Sequence, residues 1–269
     1  MKPAPFDYYA PESLDEALRL RSELGSEASV LAGGQSLVPM LNMRLAAPEA
    51  LIDLRKLDEL RYVRASTDGV AVGAMTTHRT LERSAEAYGV CPLLRESLEL
   101  VAHTIVRNRG TVGGSIAHAD PAAELPSVLA VLGGKVTARS VRGEREIAAT
   151  DLFTFHFTTS LEPDELLTEV WFPAVPADGG SAFLEVSRRH GDYALAGAAC
   201  VVSNRSTRLA YTGVGPTPVL VESDDPDAAA AAASPADDIH ATADYRRQLV
   251  RVLTGRAVAR ARERAGATQ

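Results

Sequence analysis

The sequence has little cysteine and none of the common metal-binding patterns. Its 269 residues include two cysteines, Cys91 and Cys200, which lie far apart and in no CxxC pair. A disulfide framework is therefore not expected, and neither is an iron–sulfur cluster, which needs several thiolates. The histidines show neither HExxH nor HxH spacing, so the sequence predicts no zinc site either.

Long hydrophobic runs and an excess of positive charge are also absent. No apolar run is long enough to span a membrane, and residues 1–12 lack the apolar core of a signal peptide. We therefore expect a soluble cytoplasmic protein without a transmembrane segment. The net charge of −7 disfavours nucleic-acid binding, so an anionic ligand would need local backbone donors. With 46% hydrophobic residues the chain has enough apolar surface for one large domain or two modest ones.

Three familiar catalytic motifs are missing as well. There is no GxxxxGK[ST] sequence, and Gly213-Val214-Gly215 continues into Pro216 instead of the third glycine of a Rossmann turn. There is no GxSxG nucleophile motif. A P-loop nucleotidase, a Rossmann dehydrogenase and a serine hydrolase are thus disfavoured.

The hydrophobic pattern predicts a mixture of helices and strands. Helices are predicted over residues 13–24, 37–45, 77–87, 92–103, 121–132 and 244–264, and strands over 29–32, 50–54, 61–65, 70–75, 135–141, 166–172, 182–188, 193–203, 208–214 and 219–222. Residues 173–180 read as a linker and 224–238 as a loose loop. The short connections after the linker favour an antiparallel sheet. The arginines of the last helix are interpreted as a solvated face or a subunit contact.

Two glycine pairs stand where a ligand with phosphates could bind. Residues 32–36, the first glycine cradle, contain Gly33-Gly34 between a predicted strand and a predicted helix, with Ser36 as a plausible N-cap. Residues 111–115, the second glycine cradle, repeat this device as Thr111-Val112-Gly113-Gly114-Ser115. Glycine lets the backbone approach a ligand, and outward amides favour phosphate oxygens. One such pair is usually only a turn, but two of them suggest a ligand with two phosphates held from both sides.

Two further features can be interpreted either as part of a functional site or as ordinary elements of structure. Tyr193 ends the segment Arg188-Arg189-His190-Gly191-Asp192 and either lies against a planar ring or packs on the core at a turn. His118 and Asp120, beside the second cradle, suggest either acid–base chemistry or simple hydrogen bonding within a loop.

Five segments together resemble a known family. They are residues 32–39, 107–115, 120–126, 188–194 and 213–218. In this combination and order the chain resembles the FAD-binding medium subunit of the molybdenum hydroxylases, the group that includes carbon monoxide dehydrogenase and xanthine dehydrogenase. The resemblance runs from about residue 3 to about residue 264.

The resemblance implies an α+β fold with two domains and a noncovalent FAD. Residues 1–173 would form an FAD-binding domain of the vanillyl-alcohol-oxidase (PCMH) type in two lobes. Residues 178–269 would form a smaller α+β domain with an antiparallel sheet, of the carbon monoxide dehydrogenase flavoprotein C-terminal type. Gln35 and Ser115 replace the histidine and the asparagine often found at these positions, but both keep hydrogen-bonding capacity.

The same resemblance implies which residues touch the cofactor. Tyr193 would lie at the isoalloxazine ring, Glu124 would hydrogen-bond sugar-like hydroxyls, and Leu161 would touch the cofactor. Val101 and Ala102 would wall the adenine end. The pyrophosphate would be held by Ala32, Gly33, Gly34, Gln35, Ser36, Thr111, Val112, Gly113, Gly114 and Ser115.

The function implied is electron transfer in a larger complex, with no catalytic side chain in this chain. A small partner subunit would supply electrons from [2Fe-2S] clusters, a large molybdopterin subunit would oxidise the substrate, and this chain would pass the electrons to an external acceptor. A dimer of heterotrimers is expected. Two alternatives remain: a free-standing FAD-dependent oxidase or reductase, and a non-enzymatic nucleotide-binding protein.

Overall fold

The computed structural model describes residues 2–267, and its first lobe is a small parallel sheet with two helices. The elements are β1 (Asp7–Tyr9), α1 (Leu14–Leu24), β2 (Ala28–Leu31), α2 (Leu37–Asn42) and β3 (Ala50–Asp53), with strand order β1-β3-β2. Helix α1 begins where expected, because the Ser13 hydroxyl accepts a hydrogen bond from the Glu16 amide at 3.3 Å. Its apolar face, with Leu14 and Leu18, packs on the sheet.

The second lobe is an antiparallel sheet with most of the helices. Its elements are β4 (Val63–Ser66), β5 (Gly69–Gly73), α3 (His78–Glu82), α4 (Ala85–Val90), α5 (Pro92–Leu100), α6 (Thr104–Arg107), α7 (Val112–His118), α8 (Glu124–Leu132), β6 (Lys135–Ser140), β7 (Gly143–Ala148), α9 (Ala149–Leu152), β8 (Phe153–Phe155), β9 (Thr158–Thr159) and β10 (Leu166–Pro173). The strand order is β4-β5-β10-β6-β7, and β8 pairs separately with β9. Helix α8 is buried along its whole length, and apart from Glu124 and Ser127 its residues are apolar.

The C-terminal part is a four-stranded antiparallel sheet covered on both faces. It contains β11 (Gly180–Ser187), β12 (Ala194–Val202), β13 (Thr207–Thr212), β14 (Val219–Val221), α10 (Pro226–Ala232) and α11 (Ala243–Ala267), with strands in sequential order. Helix α11 covers one face, while α5 and α8 of the second lobe cover the other. All of β12 is buried, which explains its run of alanine, glycine and valine.

Several predicted boundaries are wrong, for local reasons. The helix predicted over 77–87 is split into α3 and α4, because the Ser84 hydroxyl accepts from the Ala87 amide and starts a new helix. The predicted loop at 224–238 contains α10, which is capped by the Asp225 side chain and begins with Pro226. Ser36 stands just before α2, but its side chain makes no capping hydrogen bond.

The interpretation of the basic last helix as a solvated face agrees with the exposed Arg256 and Arg260 but needs correction for Arg246 and Arg251. Arg246 is buried and donates to the carbonyl oxygens of Leu195 (2.6 Å) and Gly213 (3.0 Å), so it ties α11 to the C-terminal sheet. Arg251 pairs with Asp227 of α10 at 2.6 Å. These arginines therefore hold the chain's own elements together.

Candidate functional site

A cavity of about 820 Å³ lies between the two lobes and the start of the C-terminal sheet. Its volume falls within the range typical of small-molecule and cofactor sites. The predicted site residues that line it are Ala32, Gly33, Gly34, Gln35, Ser36, Val101, Ala102, Thr111, Gly113, Gly114, Ser115, Glu124, Leu161 and Tyr193. The fold thus brings segments from across the chain to one place.

Val112 is the predicted site residue that does not line the cavity. Its side chain is fully buried in the core of the second lobe. Its amide donates to the Thr76 carbonyl at 2.9 Å, so neither group faces the cavity. Val112 therefore supports the second cradle by packing in the core and does not contact a ligand in the cavity.

The two glycine cradles face each other. A Cβ at Gly33 would collide with the backbone of Arg109 and Gly110, and a Cβ at Gly114 would lie 3.3 Å from the Ala32 Cβ. Gly34 has φ of +73°, a conformation that other residues adopt only with strain. Side chains on these glycines would therefore fill the cradle or push its walls apart.

Hydrogen-bond donors are divided unequally between the cradles. Within the described chain, the amides of residues 33–37 have no protein acceptor. In the second cradle, by contrast, Gly113 donates to Ala74, and Gly114 and Ser115 both donate to Thr111. The first cradle therefore offers free amides at the start of α2, while the second offers glycine space and the hydroxyls of Thr111 and Ser115. An anion in the cavity is best placed against the first cradle.

The cavity has two distinct ends on either side of the cradles. Ala28 lies at one end of the cavity, at the start of β2, and the first cradle follows this strand. The distance along the chain from Ala28 to Gly33 is roughly 16 Å, at 3.3 Å per residue of extended backbone. The cavity wall at the Ala28 end includes Arg21, whose Nη1 donates to the Ala28 carbonyl at 2.7 Å, and the segment around Leu161. At the other end, the charges of Asp120 and Glu124 act on Tyr193.

Val101 and Ala102 lie at the Tyr193 end. Gly191, two residues before Tyr193, packs so tightly on this segment that a Cβ there would be 2.9 Å from the Ala102 carbonyl oxygen. Ala102 therefore contacts the segment that leads into Tyr193, and the assignment of Val101 and Ala102 to the adenine end stays a prediction.

Glu124 is a buried acid on the cavity wall, only 6% exposed, at the first turn of α8. Burial and then the charge of Glu185 on β11 raise its pKa to about 8. At neutral pH the side chain is therefore mostly a neutral carboxylic acid that both donates and accepts hydrogen bonds. Such a group suits ligand hydroxyls.

Tyr193 is 61% exposed, so the alternative in which it packs on the core is wrong. Its hydroxyl nevertheless sits beside Asp120 and Ser36. Partial burial of that hydroxyl and the negative charges of Asp120 and Glu124 raise its pKa to about 12. The phenol stays protonated at physiological pH, and its ring stands free at the mouth of the cavity.

Asp120 and His118 are better explained by loop structure than by acid–base chemistry. The Asp120 carboxylate accepts a hydrogen bond from the Ala122 amide at 2.9 Å, forming a local turn. The His118 ring packs against Phe157, with ring centres 5.1 Å apart. Neither contact prepares a proton transfer.

Sequence reasoning missed several residues that shape the cavity. His78 lies beneath the second cradle, with Nε2 3.0 Å from the Thr111 carbonyl oxygen, and burial lowers its pKa to about 4, so it is neutral. Arg145 holds the segment around Leu161 through Glu165 (2.6 and 2.9 Å) and the Ser160 carbonyl (2.9 Å). No sequence motif marks these side chains, since each acts through a partner distant in the chain.

Residues 2–267 contain neither a cluster of metal-binding side chains nor a membrane-spanning helix. No cluster of three or more His, Cys, Asp or Glu side chains there is arranged to hold a metal ion. Among the helices of the same residues, none is both long and apolar enough to cross a membrane.

Comparison with known proteins decides the family. Residues 4–175 match the family described as the FAD binding domain in molybdopterin dehydrogenase. The chain belongs to this family. This confirms the resemblance noted in the sequence, and with it the FAD cofactor and the oxidoreductase class.

Relatives match this FAD-binding chain over nearly its full length. The 6-hydroxypseudooxynicotine dehydrogenase complex subunit alpha of Paenarthrobacter nicotinovorans is 42% identical, covering 100% of this chain and 98% of its own. A chain in the structure of carbon monoxide dehydrogenase from Hydrogenophaga pseudoflava superposes with a TM-score of 0.92 at 36% identity, covering 98% and 99%. A chain of quinoline 2-oxidoreductase from Pseudomonas putida 86 gives 0.90 at 37% identity, with the same coverage. These likenesses confirm the predicted α+β fold.

Proposed function

We propose that the cavity binds FAD noncovalently, with the pyrophosphate between the two glycine cradles. The observation that carries this proposal is the set of free amides at residues 33–37 facing a second glycine segment. A pyrophosphate needs several donors and close backbone approach, and the cradles offer both without a lysine. The residues present therefore fit the cofactor of the family.

Each wall residue then has a defined task. The amides of the first cradle and the hydroxyls of Thr111 and Ser115 hold the pyrophosphate. Glu124, as a neutral acid, hydrogen-bonds the ribityl hydroxyls, and Tyr193 covers the isoalloxazine ring at the cavity mouth. Leu161 contacts the cofactor at the end of the cavity where Arg21 also lies.

Bound FAD supplies the redox chemistry, because a flavin accepts electrons singly or in pairs. The protein's part is to hold the flavin, exclude water from one side of the ring and leave the mouth accessible. The carboxylates beside Tyr193 already have partners, since Asp192 pairs with Arg189 at 3.1 Å and Asp120 accepts from the Ala122 amide, which favours an electron-transfer subunit.

The proposal extends to the assembly. We infer that the chain works with a large molybdopterin subunit and a small [2Fe-2S] subunit, as a dimer of heterotrimers in the cytoplasm, and reduces an external acceptor. The relative from Paenarthrobacter nicotinovorans is itself a subunit of a dehydrogenase complex, which supports this arrangement. We also propose residues 1–173 and 178–269 as two domains, since the connection between β10 and β11 separates two sheets.

The proposal is tested by measuring how much flavin the purified chain binds and whether a substitution in the first glycine cradle reduces it. The purified chain, with FAD added if necessary, should show a flavin absorption spectrum, and acid should release the flavin intact. Gly33→Ala should abolish binding because its Cβ has no room. Gly89→Ala is the matched control, since nothing lies within 4 Å of a Cβ there.

A wild-type chain that binds no FAD, even when coexpressed with its partner subunits, would overturn the proposal. Loading restored by coexpression alone would instead mean that the cavity closes fully only in the complex. Equal loss of FAD in Gly33→Ala and Gly89→Ala would refute the role of the cradle.

A further inference from the structure

Arg107, at the end of α6, is an almost fully buried arginine whose guanidinium makes hydrogen bonds to several groups. It is 7% exposed. Its Nη1 donates to the carbonyl oxygens of Val101 (2.8 Å) and Ala102 (3.2 Å), and its Nε pairs with the buried carboxylate of Glu82 at 3.0 Å. The guanidinium thus binds the backbone of a cavity-wall segment and is anchored on α3.

The segment that Arg107 binds is strained. Ala102 has φ of +44°, a left-handed conformation that is unfavourable for a residue with a Cβ. Such a conformation persists only where the surrounding structure holds it. The two hydrogen bonds from Arg107 supply that restraint.

The strained segment in turn supports the loop that carries Tyr193. Gly191 has φ of +86° and lies directly on residues 102 and 103. A Cβ at Gly191 would come within 2.9 Å of the Ala102 carbonyl oxygen and 2.8 Å of the His103 Nδ1. Any shift of Ala102 is therefore transmitted to Gly191, and from there to Tyr193.

We propose that Arg107 is a positioning residue that holds Ala102 in its left-handed conformation and so sets the place of Tyr193 over the cavity mouth. Arg107 acts on Tyr193 through the 101–103 and 191–193 segments, and its positive charge also reaches Glu124. The consequence for the flavin rests on the proposed function, whereas the consequence for the loop does not.

The test compares a double variant with a single one. R107M/E82Q removes the hydrogen bonds to Val101 and Ala102 without leaving a buried charge unpaired. E82Q alone keeps those hydrogen bonds but leaves the buried Arg107 guanidinium without its carboxylate partner, so urea unfolding of both variants is used to subtract the difference in global stability. Hydrogen exchange is measured in the chain without FAD at three hydrogen-bonded amides: Val101 and Arg107 for the first segment, which donate to Ser97 and His103, and Asp192 for the Tyr193 loop, which donates to Arg189.

We expect exchange in both segments to rise in R107M/E82Q relative to E82Q, by roughly five- to thirtyfold, since this is the range that the left-handed penalty implies. Exchange in β13 should be the same in both variants. Adding A102G should restore most of the protection, because glycine adopts the left-handed conformation without that penalty. With FAD bound, quenching of flavin fluorescence by iodide should follow the same order.

Equal exchange in E82Q and R107M/E82Q, or no recovery with A102G, would overturn the inference. A wild-type chain that binds no FAD would refute the proposed function instead, while the exchange measurement would still decide the role of Arg107. Changed exchange without changed iodide quenching would show that the loop does not shield the flavin, which also contradicts the proposal.

Discussion

Replacing Glu124 with glutamine is expected to stabilise the FAD-free chain at pH 8 and to change it little near pH 5. The carboxyl group is buried, and its pKa is raised from 4.5 to about 8, first by burial and then by Glu185. Glutamine has nearly the same shape and never ionises. The variant therefore isolates the free-energy cost of keeping an acid at this position.

The sign and size of the effect follow from proton linkage. Below pH 4.5 Glu124 is protonated in both the folded and the unfolded chain, so it causes no difference. Between pH 4.5 and 8 the unfolded chain releases the proton while the folded chain keeps it, so stability falls by up to about 1.4 kcal/mol per pH unit. At pH 7 this amounts to about 3 kcal/mol, which E124Q should recover.

Urea unfolding of both proteins at several pH values between 5 and 9 measures this difference. Glu185→Gln is the matched control: it removes a neighbouring charge, so it should lower the pKa of Glu124 and make the slope of stability against pH shallower without abolishing it. Parallel curves for wild type and E124Q over the whole range would refute the electrostatic reasoning.

Three other substitutions probe the cavity walls. Tyr193→Ala should change the rate of flavin reoxidation more than the retention of FAD, because the ring covers the cofactor without anchoring it. Arg145→Gln should weaken FAD binding and stability by about 1–2 kcal/mol, since it frees the segment around Leu161, whereas Arg139→Gln, which loses only an exposed pair with Glu144, should not affect FAD. Gly34→Ala, with φ of +73°, should lower FAD affinity, while Gly25→Ala, with φ of +50° in open space, should lower only stability.

Stopped-flow reoxidation measures the effect of Tyr193→Ala. Fluorescence titration with FAD and thermal unfolding measure affinity and stability in the arginine and glycine variants. Unchanged reoxidation in Tyr193→Ala would contradict the shielding role. Equal FAD affinity in the two arginine variants, or in the two glycine variants, would show that these positions act through overall stability alone.

Local patterns predicted most of the elements correctly. The capping sequence at Ser13 starts α1, and the alternating apolar residues at 135–141 and 166–172 form β6 and β10. The predictions failed where a short polar signal competes with periodicity. Ser84 restarts a helix within an apparently continuous pattern, and β7 is nearly all exposed, so it has no apolar alternation to detect.

The cofactor site was partly predictable for the same reason. Glycine pairs, the acid at Glu124 and the aromatic Tyr193 are recognisable because their chemistry resides in the residue type and its neighbours in the chain. The supporting contacts were not recognisable. His78 acts through Thr111, Arg145 through Glu165 and Arg107 through Ala102, and none of these pairs has a sequence signature.

The sequence by itself determined the family, the fold class, the cofactor and the two glycine cradles, because backbone freedom and hydrogen-bonding groups are properties of residues and short segments. Only the tertiary structure decided that the amides of residues 33–37 are free while those of Gly113, Gly114 and Ser115 are hydrogen-bonded within the protein, and that Ala102 lies against Gly191. It also decided the ionisation of Glu124, which depends first on burial and then on the charge of Glu185 on β11. These properties depend on distances between remote segments, and a linear pattern carries no information about such distances until the chain has folded.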